Sequence, residues 1–341
     1  MALYAFDGTG DRWDAQSPIT ATTKTKNGRY LTNVVFFYAE YLKAGMQAEY
    51  FPGVGSSVSI TDRIVGGAFG AGASGVINAA FRKLKDHFKS GDQTIDIIGY
   101  SRGAALARAF ADKTFKDYSE LVDKTGKPLN GPPDIRFIGL FDTVASFGMP
   151  LNDTELFFQE RIPISAQNTF HAMALDVRRA GFGLDRAYGE NVLEVWFRGG
   201  HGDIGGNSEL SNGLPNRNRT NLALVFMLQK ARAVGINLKE TFDYPIDIHA
   251  PVVIDENNLD DDPSRQHRNH DVFHYSFFDE AKQVIEFPGC VPLPERSQLV
   301  IEEVSNEPQL SEPRLLQLTP ELSAKYPDTQ SIYNKLYGLP Q

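Results

Sequence analysis

Residues 94–116 carry the feature that most constrains this chain: the apolar run Ile95-Asp96-Ile97-Ile98-Gly99 turns through Tyr100-Ser101-Arg102-Gly103 directly into the alanine-rich segment AALARAFA. A strand that ends in Gly-x-Ser-x-Gly and passes at once into a helix places the serine on a strained corner. Small residues two positions to either side keep the neighbouring backbone from colliding there. Such a corner belongs to a strand covered on both faces by helices, the arrangement of a parallel sheet.

The remainder of the chain repeats that alternation. Ala2 to Phe6 is a short apolar run stopped by the polar turn Asp7-Gly8-Thr9-Gly10, and reads as a buried strand. From Thr32 to Lys43, Val34, Phe37, Tyr38 and Tyr41 recur at helical spacing before Gly45. Gln47 to Phe51 reads as a strand, and Val76 to Lys89 as a helix with Ile77, Ala80, Phe81, Leu84 and Phe88 on one face. Ile135 to Phe141 and Val192 to Phe197 read as strands, and Arg219 to Ala233 as a helix closed by Gly235. HAMALDVRRA, which begins at His171, reads as a further helix whose first residue packs or caps. The prediction is an α/β-hydrolase fold, with a mostly parallel central sheet and helices on both faces.

Past residue 250 the texture changes, since ten of the nineteen prolines fall in the last 91 residues and DENNLDDDPS is acidic and turn-rich. Residues 1–250 are therefore expected to form the hydrolase core. Residues 251–341 are expected to form a C-terminal cap or extension packed on it, within one structural domain.

Composition narrows the function classes. At 41% hydrophobic and 23% charged, the chain can bury a sizeable core. A net charge of −9 and the lack of any basic stripe interleaved with aromatics exclude nucleic acid as an expected partner. The single cysteine, Cys290, rules out an intrachain disulfide and a cysteine-based zinc site. Asp7 interrupts the N-terminus before an apolar signal core can form, so no secretory signal is expected and the chain is expected to be cytoplasmic as synthesised. The uncharged stretch Ile64 to Phe81 contains five glycines, and reads as a flexible apolar loop or lid rather than a membrane span.

The chemistry follows from Ser101. A serine nucleophile needs a base, and His201 lies in the glycine-rich loop Arg198-Gly199-Gly200-His201-Gly202-Asp203, just past an apolar strand. His87 falls on the polar side of its helix and His249 is isolated. An acid must hold the imidazole, and Asp142 emerges directly from the strand IRFIGLF, with Asp203 as the rival. Ser, Asp and His then follow in the chain order expected of α/β-hydrolases. The Arg102 amide at the helix start and an amide of Gly8 or Thr9 would bind the oxyanion. Asp203, if not the acid, and Asp7 would brace the surrounding loops. The predicted reaction is hydrolysis of a carboxylic ester through an acyl-enzyme, with no cofactor and no metal.

Seven ordered segments resemble a known family: FDGTGDRWD at 6–14, LTNV at 31–34, YFPGVGS at 50–56, GYSRGAALARAFA at 99–111, IGLFDTVASFG at 138–148, HAMALDVRR at 171–179 and WFRGGHGDIGG at 196–206. Together they are similar to the α/β-hydrolase domains that include type VI secretion lipase effectors. The resemblance implies the same triad of Ser101, Asp142 and His201, and a lipid or phospholipid ester as substrate. It implies transient contact with a membrane surface, an immunity or secretion-apparatus protein as partner, and export by a route that needs no signal peptide.

Two other readings compete with it: a soluble short-chain carboxylesterase, and a non-catalytic binding module on a hydrolase scaffold. Gly70, Gly72 and Gly75 match a dinucleotide fingerprint, but no strand leads into them, and a mobile pocket wall is preferred. His267, His270 and His274 could hold a metal, although DVFHYSF reads as a strand. Asp255 to Asp262 reads as a solvated loop rather than a calcium site. Phe147 and Met149 would line an acyl pocket.

Overall fold

The computed structural model describes residues 2–55, 69–145, 162–163, 165–179, 181–189, 191–254, 263–267, 271–293 and 299–302. Along the chain run β1 (Ala2–Phe6), α1 (Asn33–Lys43), β2 (Gln47–Phe51), α2 (Phe69–Lys89), β3 (Ile95–Tyr100), α3 (Arg102–Lys116), β4 (Ile135–Phe141) and β5 (Thr169–Ala174). They are followed by β6 (Val192–Phe197), α4 (His201–Gly205), α5 (Arg217–Ala233), β7 (Val272–His274) and β8 (Val300–Glu302). Among the described residues the strands form one eight-stranded sheet in the order β2-β1-β3-β4-β5-β6-β7-β8, with every pairing parallel.

The period-two alternation of strand side chains divides the core into two layers. Leu3 and Ala5 of β1 and Ile98 and Tyr100 of β3 face α1 and α5, where Val34, Phe37, Tyr41, Leu224 and Leu228 complete the cluster. Ala2, Tyr4 and Phe6, with Ile95 and Ile97, face α2 and α3 through Ile77, Phe81, Leu84, Phe88, Leu106 and Phe110. With both faces covered, β1 and β3 are buried at every position: β1 is a continuous apolar run, and β3 is broken only by Asp96, whose buried carboxylate accepts from Tyr41 OH and from Arg136. Each large side chain enclosed in this way, Phe37 or Phe110 for example, contributes about 1.5–3 kcal/mol.

The chain adds β2 on one side of β1, then crosses to place β3 on the other. The order reverses at β1, and the crevice beyond the carboxyl ends of β1 and β3 is where ligands bind in such sheets. Asp7 to Thr9 and Ser101 both emerge at that crevice.

Two expectations are corrected. The segment beginning at His171 is not a helix: Thr169–Ala174 is a central strand paired with both β4 and β6, and every residue of it is buried. With no solvent face it shows no alternation, and its Ala and Met content suggests helix. The glycines 70, 72 and 75 do not lie in a loop but within the first turns of α2. Weak glycine propensity, about 1 kcal/mol per residue relative to alanine, is overridden there by packing against the sheet. After residue 250 the chain continues the sheet, with β7 and β8 added beyond β6. Met173, Trp196, Phe273 and Phe277 form a third apolar cluster beneath them. Residues 64–68 of the expected lid, Phe147, Met149, Asp255 to Asp262 and residues 303–341 lie outside the described residues. Among the described residues no helix is long and apolar enough to cross a membrane.

Candidate active site

Ser101 occupies the turn between β3 and α3 with φ 57° and ψ −127°, a conformation that a residue with a Cβ rarely adopts. The corner is held by its surroundings. The Ser101 amide donates to the Phe141 carbonyl at 3.0 Å, and its carbonyl accepts from the Val144 amide at 3.3 Å. The flanking glycines are required by contact. A Cβ on Gly99 would lie 2.6 Å from the Gly103 carbonyl oxygen, and one on Gly103 would lie 2.3 Å from that of Asp7. We predict that Gly103→Ala forces β1 away from α3, costs about 1–3 kcal/mol of stability, and lowers activity together with the melting temperature. A variant with wild-type melting and turnover would contradict the close approach.

From this corner the serine Oγ lies 2.9 Å from His201 Nε2, and His201 Nδ1 lies 2.6 Å from Asp142 Oδ2. Ser101 and Asp142 follow the carboxyl ends of β3 and β4, and His201, expected in a loop, is the first residue of α4, four positions past the end of β6; all three are nearly or fully buried. Asp142 also has a positive φ, 41°. Of the three non-glycine residues with positive φ among those described, two are therefore at this site, and backbone strain of this kind persists only where surrounding contacts impose it. Tyr100 lies against the imidazole at a 4.8 Å ring separation, and Phe182 meets it edge-on at 4.9 Å. These rings exclude water from the imidazole and strengthen its polar contacts.

Asp142 is fully enclosed. Its Oδ1 accepts from the Ala174 amide at 2.8 Å, and both carboxylate oxygens accept from the Arg265 guanidinium, at 2.8 and 3.0 Å. Burial alone would raise its pKa. The Arg265 charge and the contact with His201 outweigh burial and hold the carboxyl well below the usual carboxylate range.

Asp203 does not reach the ring. Its Oδ1 accepts from Asn216 Nδ2 at 2.9 Å, and its Oδ2 accepts from the Val253 amide at 2.8 Å and the Gly200 amide at 3.3 Å. It braces the start of α4, which carries His201. Burial raises its pKa to about 6 against the lowering effect of these hydrogen bonds and of the Arg219 charge. Asp7 likewise accepts from the Gly8 amide at 2.8 Å, Thr32 Oγ1 at 2.7 Å and Tyr50 OH at 2.6 Å. It joins the turn after β1 to the start of α1 and the end of β2.

That bond to Asp7 engages the Gly8 amide, so of the two oxyanion candidates in this turn only Thr9 keeps an uncommitted N–H. Neither the Thr9 nor the Arg102 amide donates to a backbone acceptor among the described residues. The Gly8 carbonyl lies against Gly53, where a Cβ would approach within 1.6 Å, which explains the PGVG segment after β2.

Sequence reasoning did not find three contributors. Arg265 has no local pattern to mark it. Asn33 of the LTNV segment donates to the carbonyls of Ile204 and Thr220 at 2.9 Å, tying α4 to α5. Asp176 accepts from Arg198 at 3.0 Å and from the Gly199 amide at 2.8 Å, fixing the strand-end loop ahead of His201. The other histidines among the described residues do not contact Ser101, Asp142 or His201. His171 Nδ1 donates to Glu194 at 2.9 Å while Nε2 accepts from the Thr143 amide at 3.1 Å. His87 lies 2.7 Å from Tyr4 OH. His274 stacks on Phe197, and its pKa falls to about 3 because burial disfavours the cation, with the Lys230 charge adding to the effect. His270 lies outside the described residues, and among those described no group of three His, Cys, Asp or Glu side chains is placed to hold a metal.

Fold and site together define an α/β protein with a serine at a strand-to-helix corner and a histidine and a carboxylate in line behind it. Residues 3–127 and 113–230 match the family model described as the type VI secretion phospholipase effector Tle1-like catalytic domain. Because the matched segments span most of the chain, the protein belongs to that family. No curated protein matches it. Among solved structures it is similar to an uncharacterised protein from Pseudomonas aeruginosa, with 21% identity, a TM-score of 0.45, and coverage of 70% of this chain and 46% of that one. It is also similar to the Tle1 effector bound to the VgrG spike of the type 6 secretion system, with 23% identity, a TM-score of 0.43, and coverage of 61% and 51%. The chain thus spans about half the length of these two structures.

Proposed function

We propose that the protein is a serine hydrolase that cleaves carboxylic ester bonds of phospholipids. The observation that carries this reading is the unbroken line from Ser101 Oγ through both imidazole nitrogens of His201 to Asp142. Ser101 attacks the ester carbonyl while His201 Nε2 takes its proton, and the imidazolium is stabilised by the Asp142 carboxylate. The Arg102 amide, at the positive end of the 15-residue helix α3, and the Thr9 amide bind the developing oxyanion. His201 then returns its proton to the leaving alcohol. Water, deprotonated by the same ring, releases the acyl group.

Charge at the mouth favours a phosphate-bearing ester over a neutral one. Arg102 follows Ser101 and Arg179 lies 4.1 Å above the Phe182 ring that touches His201, while Arg29, which donates to the Thr9 carbonyl at 3.0 Å, is paired with Asp11 at 3.6 Å. No carboxylate among the described residues lies within ion-pair distance of Arg102 or Arg179. The Arg102 guanidinium is held below its usual pKa by burial and by the positive charges of Arg179 and Arg29. An anionic phosphate diester next to the scissile ester would relieve that repulsion. Arg179→Gln is expected to lower the ratio of kcat/KM on a short-chain phosphatidylcholine to that on a short neutral diacylglycerol by about tenfold, the scale of one charge-assisted contact. Equal losses on both substrates would remove the phosphate from the reading.

The direct test incubates purified protein with phospholipid vesicles, measures fatty acid and lysophospholipid release, and labels Ser101 with a fluorophosphonate. Release with labelling supports the proposal. Hydrolysis confined to short soluble esters would make it a carboxylesterase, and neither hydrolysis nor labelling would leave a binding module. Family membership and the effector bound to its spike support a secretion-apparatus partner and export without a signal peptide for this chain. An immunity protein remains part of the same proposal.

A further inference from the structure

Arg265 lies in a short 3-10 turn, Pro263–Arg265, beyond the region matched by the family model, and its side chain is 3% exposed. One terminal nitrogen, Nη1, donates to Asp142 Oδ1 at 2.8 Å and to the Ala174 carbonyl at 2.7 Å. The other, Nη2, donates to Asp142 Oδ2 at 3.0 Å and to the Phe182 carbonyl at 2.7 Å. Asp142 thereby has two donors on each oxygen: the Ala174 amide and Nη1 on Oδ1, and His201 Nδ1 and Nη2 on Oδ2. The planar fork leaves the carboxylate one orientation, in which Oδ2 faces the imidazole. The bond to the Phe182 carbonyl fixes the ring that packs on the other side of His201.

We infer that Arg265 is a positioning residue for the proposed ester hydrolysis: it aims Asp142 at His201 and supplies the counter-charge that keeps the buried carboxylate ionised. The inference rests on the triad proposed above. A lysine would provide the charge without the fork, because its single ammonium cannot bind both oxygens in a fixed plane. An apolar replacement would provide neither.

The two roles are separable by pH. Removing a cation beside a coupled acid–base pair makes the pair take up a proton at higher pH, whichever of the two side chains carries it. The acid limb of kcat/KM therefore moves upward in the apolar variant. The other charged or titratable groups around the pair are the same in both variants. Tyr100 from β3 donates to the His201 carbonyl at 3.4 Å, His171 from β5 is bound to Thr143 and Glu194, and Asp203 from α4 points to Asn216 and Val253. Arg179 stacks on Phe182, and Ser101 from the β3–α3 corner completes the set.

The experiment compares full-length wild type, Arg265→Met and Arg265→Lys for kcat, KM and the pH profile on one ester, with melting curves to check folding. For Arg265→Met we expect kcat to fall about a hundredfold with KM nearly unchanged, and the acid limb to rise by on the order of one pH unit. For Arg265→Lys we expect kcat to fall about tenfold with the acid limb in place. If Arg265→Met does not fold, the lysine variant still decides: wild-type kcat there overturns the positioning role. A folded Arg265→Met with an unmoved acid limb overturns the electrostatic one. An inactive wild type that no fluorophosphonate labels would instead defeat the underlying hydrolase reading, an outcome distinct from an active enzyme insensitive to Arg265.

Discussion

Ser101→Ala is expected to fold as the wild type does and to lose about 10³-fold or more in turnover. The substitution removes one oxygen and leaves the Cβ, so the strain of φ 57° and the contacts of Gly99 and Gly103 remain. What disappears is the hydroxyl 2.9 Å from His201 Nε2, the proposed nucleophile. Oxyanion donors and substrate binding survive, and in enzymes of this chemistry they sustain roughly 10³–10⁴-fold catalysis over water after the nucleophile is lost. The measurement is kcat by fatty acid release, paired with fluorophosphonate labelling and a melting curve. Retention of more than a tenth of the activity with unchanged melting would show that the hydroxyl of residue 101 does not attack. Ser101→Gly makes a useful companion, because glycine accepts positive φ without strain. It should be as inactive as the alanine variant without a loss of stability from the corner itself.

Much of this site is written locally in the chain, and the reasons it can be read are physical. A corner between a strand and a helix demands glycine at 99 and 103 because backbone passes within 3 Å of where their Cβ atoms would sit. Asp142 and His201 could be placed at the same rim because each follows an apolar run that parallel packing obliges to be a strand. The choice between Asp142 and Asp203 could not be closed from sequence, since it depends on which carboxylate points behind the ring. The folded chain turns Asp203 toward Asn216 and Val253. Strand β5 was misread because burial on both faces erases the alternation that signals a strand. Arg265 was invisible for another reason. It sits 123 residues from Asp142, in a turn whose local sequence is polar and proline-containing, and nothing nearby in the sequence records a contact made across the fold. Strand β7 falls inside DVFHYSF, whose β-branched and aromatic residues read as a strand, whereas β8 is hidden because three residues, Val300–Glu302, are too few to establish a period.

Asp142→Asn separates the two candidate acids. In the wild type each oxygen of residue 142 receives two donors. An asparagine offers one oxygen and one NH₂, so one pair of donors must face another donor. If the oxygen stays on the His201 side, the NH₂ confronts the Ala174 amide and Arg265 Nη1. If the group flips, His201 Nδ1 must accept, its proton moves to Nε2, and the nitrogen facing Ser101 can no longer take the serine proton. Either orientation leaves the buried Arg265 charge without its counter-ion, a loss of about 3–5 kcal/mol where a buried pair is broken. The expected result is a fall of about 10⁴ in kcat, accompanied by a lower melting temperature. The stability difference from wild type should be full above about pH 4, where the carboxylate is ionised in folded and unfolded chains alike. It should shrink as pH falls through the depressed pKa of the folded carboxyl. Asp203→Asn keeps oxygen and charge near His201 undisturbed and loses only loop bracing, so its kcat should fall far less. If the order of the two variants were reversed, with Asp203→Asn nearly inactive and Asp142→Asn active, the acid would have to approach the imidazole from residue 203 in α4. The bidentate contact of Arg265 would then be structural.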